Sequence, residues 1–184
     1  MGVIRIEKYD VTFIHIPRTG GQSVRELIRT VPTATISSLK GSDINIKHPD
    51  VKRAKEIFGN LGWTFCTVRN PYNRFTSMYS HLIRCNWMPQ NTSIEKYTYE
   101  LADYETFAKP MSKWFTDGDI DYIIRFENLR KDFQTVADKL EIGNTLPHIN
   151  QGRIKNHKTL LTDEIKDFVY KKYEEDFKRF GYER

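Results

Sequence analysis

The feature that most constrains this chain is the passage VTFIHIPRTGGQSVRELI, from Val11 to Ile28. Val11 to Ile16 is a short, apolar, β-branched run of the kind that forms a strand buried on both faces. Pro17 ends it, and a turn holding Gly20 and Gly21 leads into a segment where Val24, Leu27 and Ile28 share one helical face. The opening therefore reads strand, glycine turn, helix.

The same alternation continues downstream. A helix is predicted over Val51 to Phe58, stopping near Gly59, and a second buried strand over Trp63 to Val68. Asn70 before Pro71 is a helix start, because Asn can cap and Pro suits the first helical position; that helix runs to about Cys85. Helical segments around Ile94 to Phe107 and Met111 to Phe115 precede a third strand, Tyr122 to Phe126, and Asn128 opens a helix to about Leu140. Thr162, followed by Asp163 and Glu164, caps a last helix. Its stripe of Ile165, Phe168, Val169, Tyr173, Phe177 and Phe180 continues until Gly181. Pro32 to Pro49 reads as irregular and polar. Strands alternating with helices predict an α/β fold, a three-layer P-loop-like domain with a mainly parallel sheet flanked by helices. No repeat or linker divides the 184 residues, which read as a single domain, 1–184. Ligands of such sheets bind beyond the carboxyl ends of the strands, where Pro17 to Ser23 and Arg69 to Ser77 fall.

A net charge of +5 favours anionic partners, but the basic residues are scattered, which argues against nucleic acid. No stretch approaches the roughly 20 apolar residues that span a bilayer. Met1 to Asp10 carries Arg5, Glu7, Lys8 and Asp10, unlike a signal peptide, and Ile6 stands where a myristoylation motif wants Ser or Thr. The expectation is a cytoplasmic protein without a membrane partner. The two cysteines, Cys66 and Cys85, make no disulfide framework and no zinc spacing, and read as structural thiols.

Two segments carry chemistry. In Pro17-Arg18-Thr19-Gly20-Gly21-Gln22-Ser23 a strand end, a glycine turn and a helix N-terminus form an anion cradle. Thr19 and Ser23 add hydroxyls, Arg18 adds charge, and the glycines allow close backbone approach. It is not a Walker A loop: aligned on Ser23, the lysine position holds Gln22 and the first glycine position Ile16. The third strand ends Ile-Ile-Arg-Phe-Glu, with no aspartate for Mg²⁺, so no metal is expected. The second segment is Arg69-Asn70-Pro71-Tyr72-Asn73-Arg74-Phe75-Thr76-Ser77. Arg69, at a strand end beside a helix start, is placed for bidentate phosphate contact, and Asn70, Arg74 and Ser77 share a helical face.

FIHIPRTGGQS resembles the 5′-phosphosulfate loop of sulfotransferases that use 3′-phosphoadenosine 5′-phosphosulfate (PAPS), especially the carbohydrate, glycosaminoglycan-type branch. CTVRNPYNRFTSMY resembles their 3′-phosphate motif, and IIRFENLRKDF and LTDEIKDFVYKKYEEDFKRFGY their closing segments. The resemblance implies PAPS as co-substrate, a hydroxyl-bearing acceptor, glycan above all, and adenosine 3′,5′-bisphosphate as product. It implies that Thr19, Gly20, Gly21, Gln22 and Ser23 hold the phosphosulfate and that Arg69 and Ser77 clasp the 3′-phosphate. Arg18 stands where the family usually has a catalytic lysine; arginine does not give up its proton and acts there as a fixed charge. His48, in IKHPD, lies where related enzymes place a histidine base, and its ordinary pKa suits that role. His81, one turn past Ser77, is the alternative base, His15 reads as a core residue bonded to backbone, and His148 and His157 as surface. Arg153 and Lys155, with Lys158, form a basic segment able to close over the nucleotide. Glu127 either orients the site or starts a helix with Asn128. Trp87 and the aromatics from Tyr97 to Tyr104 read as core, with sugar stacking the alternative. Secretory-pathway relatives carry a membrane anchor, so its lack here suggests a bacterial or viral source.

Three other readings compete: a nucleotide or metabolite kinase with a degenerate phosphate loop, a basic nucleic-acid-binding module, and a non-catalytic relative that binds PAPS or glycan.

Overall fold

The computed structural model describes residues 2–31, 36–38, 48–101, 108–143 and 160–184. The strands are β1 (Val3–Ile6), β2 (Val11–Ile14), β3 (Ile36–Ser38), β4 (Trp63–Val68) and β5 (Tyr122–Arg125). The longer helices are α1 (Gly21–Ile28), α2 (Val51–Phe58), α3 (Pro71–Arg84), α4 (Leu129–Leu140), α5 (Asp163–Lys172) and α6 (Glu174–Phe180). They sort into two compact units, each built from two stretches of chain: 1–68 with 113–149, and 69–112 with 150–184.

The first unit holds the sheet, in the order β3-β1-β2-β4-β5. β2 pairs parallel with β4, placing Phe13 beside Phe65, and β4 pairs parallel with β5, placing Cys66 beside Ile123. β1 is antiparallel to both β2 and β3, so it alone runs against the other four. One face of the sheet presents Ile4, Ile6, Val11, Phe13, Phe65 and Ile124 to Val24, Leu27 and Ile28 of α1 and to Phe133, Val136, Ala137 and Leu140 of α4. Each such side chain, fully buried, contributes about 1.5–3 kcal/mol. Thr12, Ile14 and Cys66, which alternate with these residues, are buried too, so the central strands are covered on both faces, as parallel strands require. The sheet is mainly parallel and flanked by helices, the class that the periodicity predicts.

Entry into β5 is fixed by short polar side chains. The Thr64 N–H donates to Asp121 Oδ2 at 2.6 Å, and the Asp121 N–H returns to the Thr64 carbonyl at 2.9 Å. Asp119 accepts from Lys55 Nζ of α2 at 2.6 Å and from the Thr116 N–H at 2.8 Å. Burial works against its charged form, but those two partners prevail and hold its carboxyl down at about 2.

Several boundaries differ from the sequence reading. β1 went unread, because Arg5, Glu7 and Lys8 disguise a segment whose Val3, Ile4 and Ile6 are buried; Arg5 pairs with Asp10. β2 ends at Ile14, two residues early, although the His15 N–H still donates to the Gly2 carbonyl at 2.6 Å. The segment read as irregular contains β3. Asn128 precedes α4 but makes no side-chain cap.

In the second unit Phe75, Met78, Tyr79 and Leu82 of α3 pack with Ile165 and Val169 of α5 and with Tyr173 and Phe177. Asn70 caps α3 as expected, accepting from the Tyr72 and Asn73 N–H groups at 3.0 and 3.3 Å, with Pro71 in the first turn. The Thr162 cap of α5 also forms, at 3.3 Å from the Ile165 N–H. The last helix, however, breaks at Tyr173 into α5 and α6. The residues between Ile94 and Leu101 form a single α-turn and a π-turn, and Met111–Trp114 a 3₁₀ turn; 102–107 lie outside the described residues.

Asp176 of α6 is fully buried and accepts from the Met111 and Ser112 N–H groups at 2.8 and 2.7 Å. Its carboxylate satisfies two main-chain donors that lie outside any helical ladder. Asp176→Ala leaves both unsatisfied and is expected to cost on the order of 3 kcal/mol, with Asp176→Asn, which keeps one acceptor oxygen, in between. Urea denaturation checks this: an unchanged midpoint in Asp176→Ala would show that the two bonds carry no net stability.

Candidate active site

The turn from β2 into α1 has an unusual backbone. φ is positive at Arg18 (68°) and Gly20 (92°) and at neither Thr19 nor Gly21. A positive φ at every other residue is a feature of the nest geometry, in which successive N–H groups turn toward one side and bind anions. An arginine held left-handed costs about 1–2 kcal/mol, so the surroundings impose this shape. α1 then begins at Gly21, and the carbonyl of Gly20 just before it accepts from the Ser23 N–H at 3.0 Å. The start of a helix brings further N–H groups and the positive end of its dipole to the same place.

The glycines answer to packing as well as to conformation. A Cβ on Gly20 would lie 2.5 Å from Cδ2 of Phe126, and one on Gly21 would lie 2.6 Å from Nε2 of His15. On the Cβ side of each glycine it is the protein's own ring, not open space, that lies against the backbone. Thr19 is fully buried, and its hydroxyl donates to the Ile16 carbonyl at 2.8 Å. That spends its one proton, so Thr67 of β4 is the donor in their 2.6 Å contact. The Thr19 side chain thus pins the turn to the sheet, and what it has to offer an anion is its main-chain N–H. Ser23 is buried, Gln22 exposed and Arg18 half-buried.

His48 is half-buried, just ahead of α2, which Asp50 caps by accepting from the Arg53 N–H at 3.0 Å. His48 Nδ1 lies 3.4 Å from the main-chain oxygen of His15, and the two imidazoles meet edge to face with centroids 5.1 Å apart. The His15 ring stacks on Phe13 at 5.7 Å and lies against Gly21. His15 is therefore not simply a core residue: half-buried, it touches both the start of α1 and His48. Sequence reasoning missed this, although the signal was there, since His15 and Phe13 lie on one side of the strand, directly before the turn. Phe126 was missed as well, because only the parallel register of β5 brings it to Gly20.

Arg69 follows β4 directly and is half-buried. Of the helical face Asn70, Arg74 and Ser77, the Asn70 side chain is committed to its cap. Arg74 is only 3% exposed and lies over the Tyr173 ring at 5.9 Å. Burial pushes the Tyr173 hydroxyl up to about 12, with the Arg74 charge partly opposing. Arg74 is thus a packing residue of the second unit, and Ser77 is also buried. His81 is engaged near the end of α3, where Nδ1 lies 3.1 Å from an Arg84 guanidinium nitrogen and 3.5 Å from Cys85 Sγ. Its ring meets that of Trp87, which is 51% exposed rather than core, whereas Tyr97 is core. Cys85 is exposed, unlike the buried thiol of Cys66. Glu127 is exposed in the turn Phe126–Asn128. Arg153, Lys155, Lys158, His148, His157 and Tyr104 lie outside the described residues.

The turn 17–23 and His48 belong to the first unit, Arg69 and Ser77 to the second. Among the described residues no helix is long and apolar enough to cross a membrane, and no group of three or more His, Cys, Asp or Glu side chains could hold a metal ion.

A mainly parallel sheet flanked by helices, whose β2 leads through a glycine turn into a helix start, defines the P-loop-like class of α/β proteins. Within that class, the sequence profile of the sulfotransferase family matches residues 2–183. The chain belongs to the sulfotransferase family and is a transferase of sulfuryl groups. No curated protein and no solved structure matches it.

Gly20 and Gly118 both have left-handed φ, but a Cβ on Gly118 would meet nothing within 4 Å. Gly118→Ala is expected to cost about 1–2 kcal/mol for backbone strain alone, and Gly20→Ala clearly more. Equal shifts in urea midpoint would show that Phe126 moves aside freely.

Proposed function

We propose that the protein transfers a sulfuryl group from PAPS to a hydroxyl of a carbohydrate, without a metal. The observation that carries this reading is the alternating backbone at Arg18–Gly21 at the carboxyl end of a buried parallel strand. The donor carries two anionic groups, and the sequence offers two motifs of different chemistry for them. The main-chain N–H groups of Thr19, Gly20, Gly21, Gln22 and Ser23 hold the phosphosulfate. Arg69 and Ser77 hold the 3′-phosphate, Arg69 by its planar fork. Arg153 and Lys155 add positive charge for the nucleotide's phosphates.

Bound there, PAPS supplies a sulfur centre whose leaving group is a phosphate. Arg18 is a permanent cation that stabilises the charge developing on the bridging oxygen as the S–O bond breaks. His48 accepts the acceptor's hydroxyl proton as its oxygen bonds to sulfur. Gln22 at the Walker lysine position and the lack of an aspartate after β5 favour transfer without Mg²⁺. The sugar acceptor is supported by the likeness of both motifs to the glycosaminoglycan branch. Trp87 adds to it: an exposed aromatic ring against His81, which itself meets Arg84, suits an acidic saccharide. The profile spans residues of both units, from 2 to 183, which supports one functional domain over 1–184.

The test is a titration with adenosine 3′,5′-bisphosphate in the absence of magnesium, beside 5′-AMP and ATP. Micromolar binding of the bisphosphate alone is expected, weakened at least tenfold by Arg69→Ala. Preference for Mg²⁺–ATP would move the protein to phosphoryl transfer, and tight salt-sensitive binding of RNA or DNA instead would make it a nucleic-acid-binding module.

A further inference from the structure

We infer that His15 is the positioning residue of the transfer site, holding His48 in the single tautomer that bears its proton on Nδ1 and its lone pair on Nε2. The inference rests on the reading of His48 as the base.

A main-chain carbonyl can only accept. The His48 Nδ1 that lies 3.4 Å from the His15 oxygen must therefore carry the hydrogen, and the neutral ring then has its basic lone pair on Nε2. This is the less common form of free histidine, so its selection needs a cause, and the His15 carbonyl supplies one. The bond is long and would not hold an imidazole by itself. The wall beside it is the His15 ring, met by the His48 ring at 5.1 Å and an interplanar angle of 67°.

That wall is itself fixed on two sides. Phe13 stacks on it at 5.7 Å and 19°. On the other side Gly21 comes so close that even a methyl group would lie 2.6 Å from His15 Nε2. The chain of contacts runs Phe13, His15, His48, with Gly21 closing it, and joins the base to the first residue of α1. A side chain at position 21 would act on the base without touching it.

The arrangement suits the proton's path. When the acceptor O–H gives its proton to Nε2, its electron pair goes to the new bond to sulfur and His48 becomes an imidazolium. The Nδ1–H bond to the His15 carbonyl then becomes charge-assisted and strengthens as the positive charge forms. His15 thus favours the proton-accepting event while taking no proton itself.

The experiment reads the tautomer directly, in the full chain labelled with ¹⁵N, by long-range ¹H–¹⁵N spectra of the imidazoles well above the histidine pKa. His48→Gln assigns the signals, and amide spectra check the fold of each variant. The expected result is one Nδ1–H form at His48, retained in His15→Phe, which keeps the carbonyl and a flat ring. In His15→Ala it gives way to a mixture with the Nε2–H form. Gly21→Ala should produce the same loss by displacing the ring, with no further loss in the double variant His15→Ala/Gly21→Ala. An Nε2–H form at His48 in the wild type, or an unchanged tautomer in a folded His15→Ala, overturns the proposal. Release of adenosine 3′,5′-bisphosphate from PAPS with water as the sulfuryl acceptor, giving sulfate, separates the two layers. If the tautomer is as stated but His48→Gln releases product at the wild-type rate, the assignment of the base fails and the positioning stands.

Discussion

Two rings pressed against two glycines set the shape of the β2–α1 turn, and the first unit's share of the site follows from that shape. Phe126 occupies the space a Cβ would need at Gly20, and His15 occupies it at Gly21. Thr67 supplies the third hold through Thr19. These three contacts come from the ends of the three neighbouring parallel strands β5, β2 and β4. The sheet's register is therefore what converts a flexible glycine turn into a fixed row of N–H groups. A nest prepared in this way loses little on meeting an anion, because its donors need no reorganisation when charge develops.

The second unit solves a different problem, the burial of charge. Arg74 and Asp176 are both within it and almost wholly screened from solvent. Asp176 meets two main-chain donors, and Arg74 lies on the Tyr173 ring. In the Arg69–Ser77 motif Asn70 starts the helix and Arg74 packs it, while Arg69 and Ser77 are the residues proposed for phosphate.

Legibility followed burial and locality. WTFCTV could be read as a strand to the residue because its apolar run is buried from Thr64 to Val68. The α3 start was equally plain, since an Asn cap followed by proline is a local device acting within three residues. β1 was hidden because its charge, Arg5, is paired with Asp10 across a turn, a contact that hydropathy does not see. The break at Tyr173 was hidden because the apolar stripe runs through it unchanged. Trp87 was misread because composition cannot say which aromatic the surface keeps.

The sequence by itself determined the alternation of β2, β4 and β5 with α1 to α4, and the family, since these rest on periodicity, caps and residues close together along the chain. Only the tertiary structure decided why positions 20 and 21 are glycines, that Thr19 spends its hydroxyl inward, that Arg74 packs and that His15 stands between α1 and His48. Each of those depends on a partner tens of residues away, or on the direction a side chain takes from a strand end. Distance along the chain carries no such information; the parallel register of β2, β4 and β5 does.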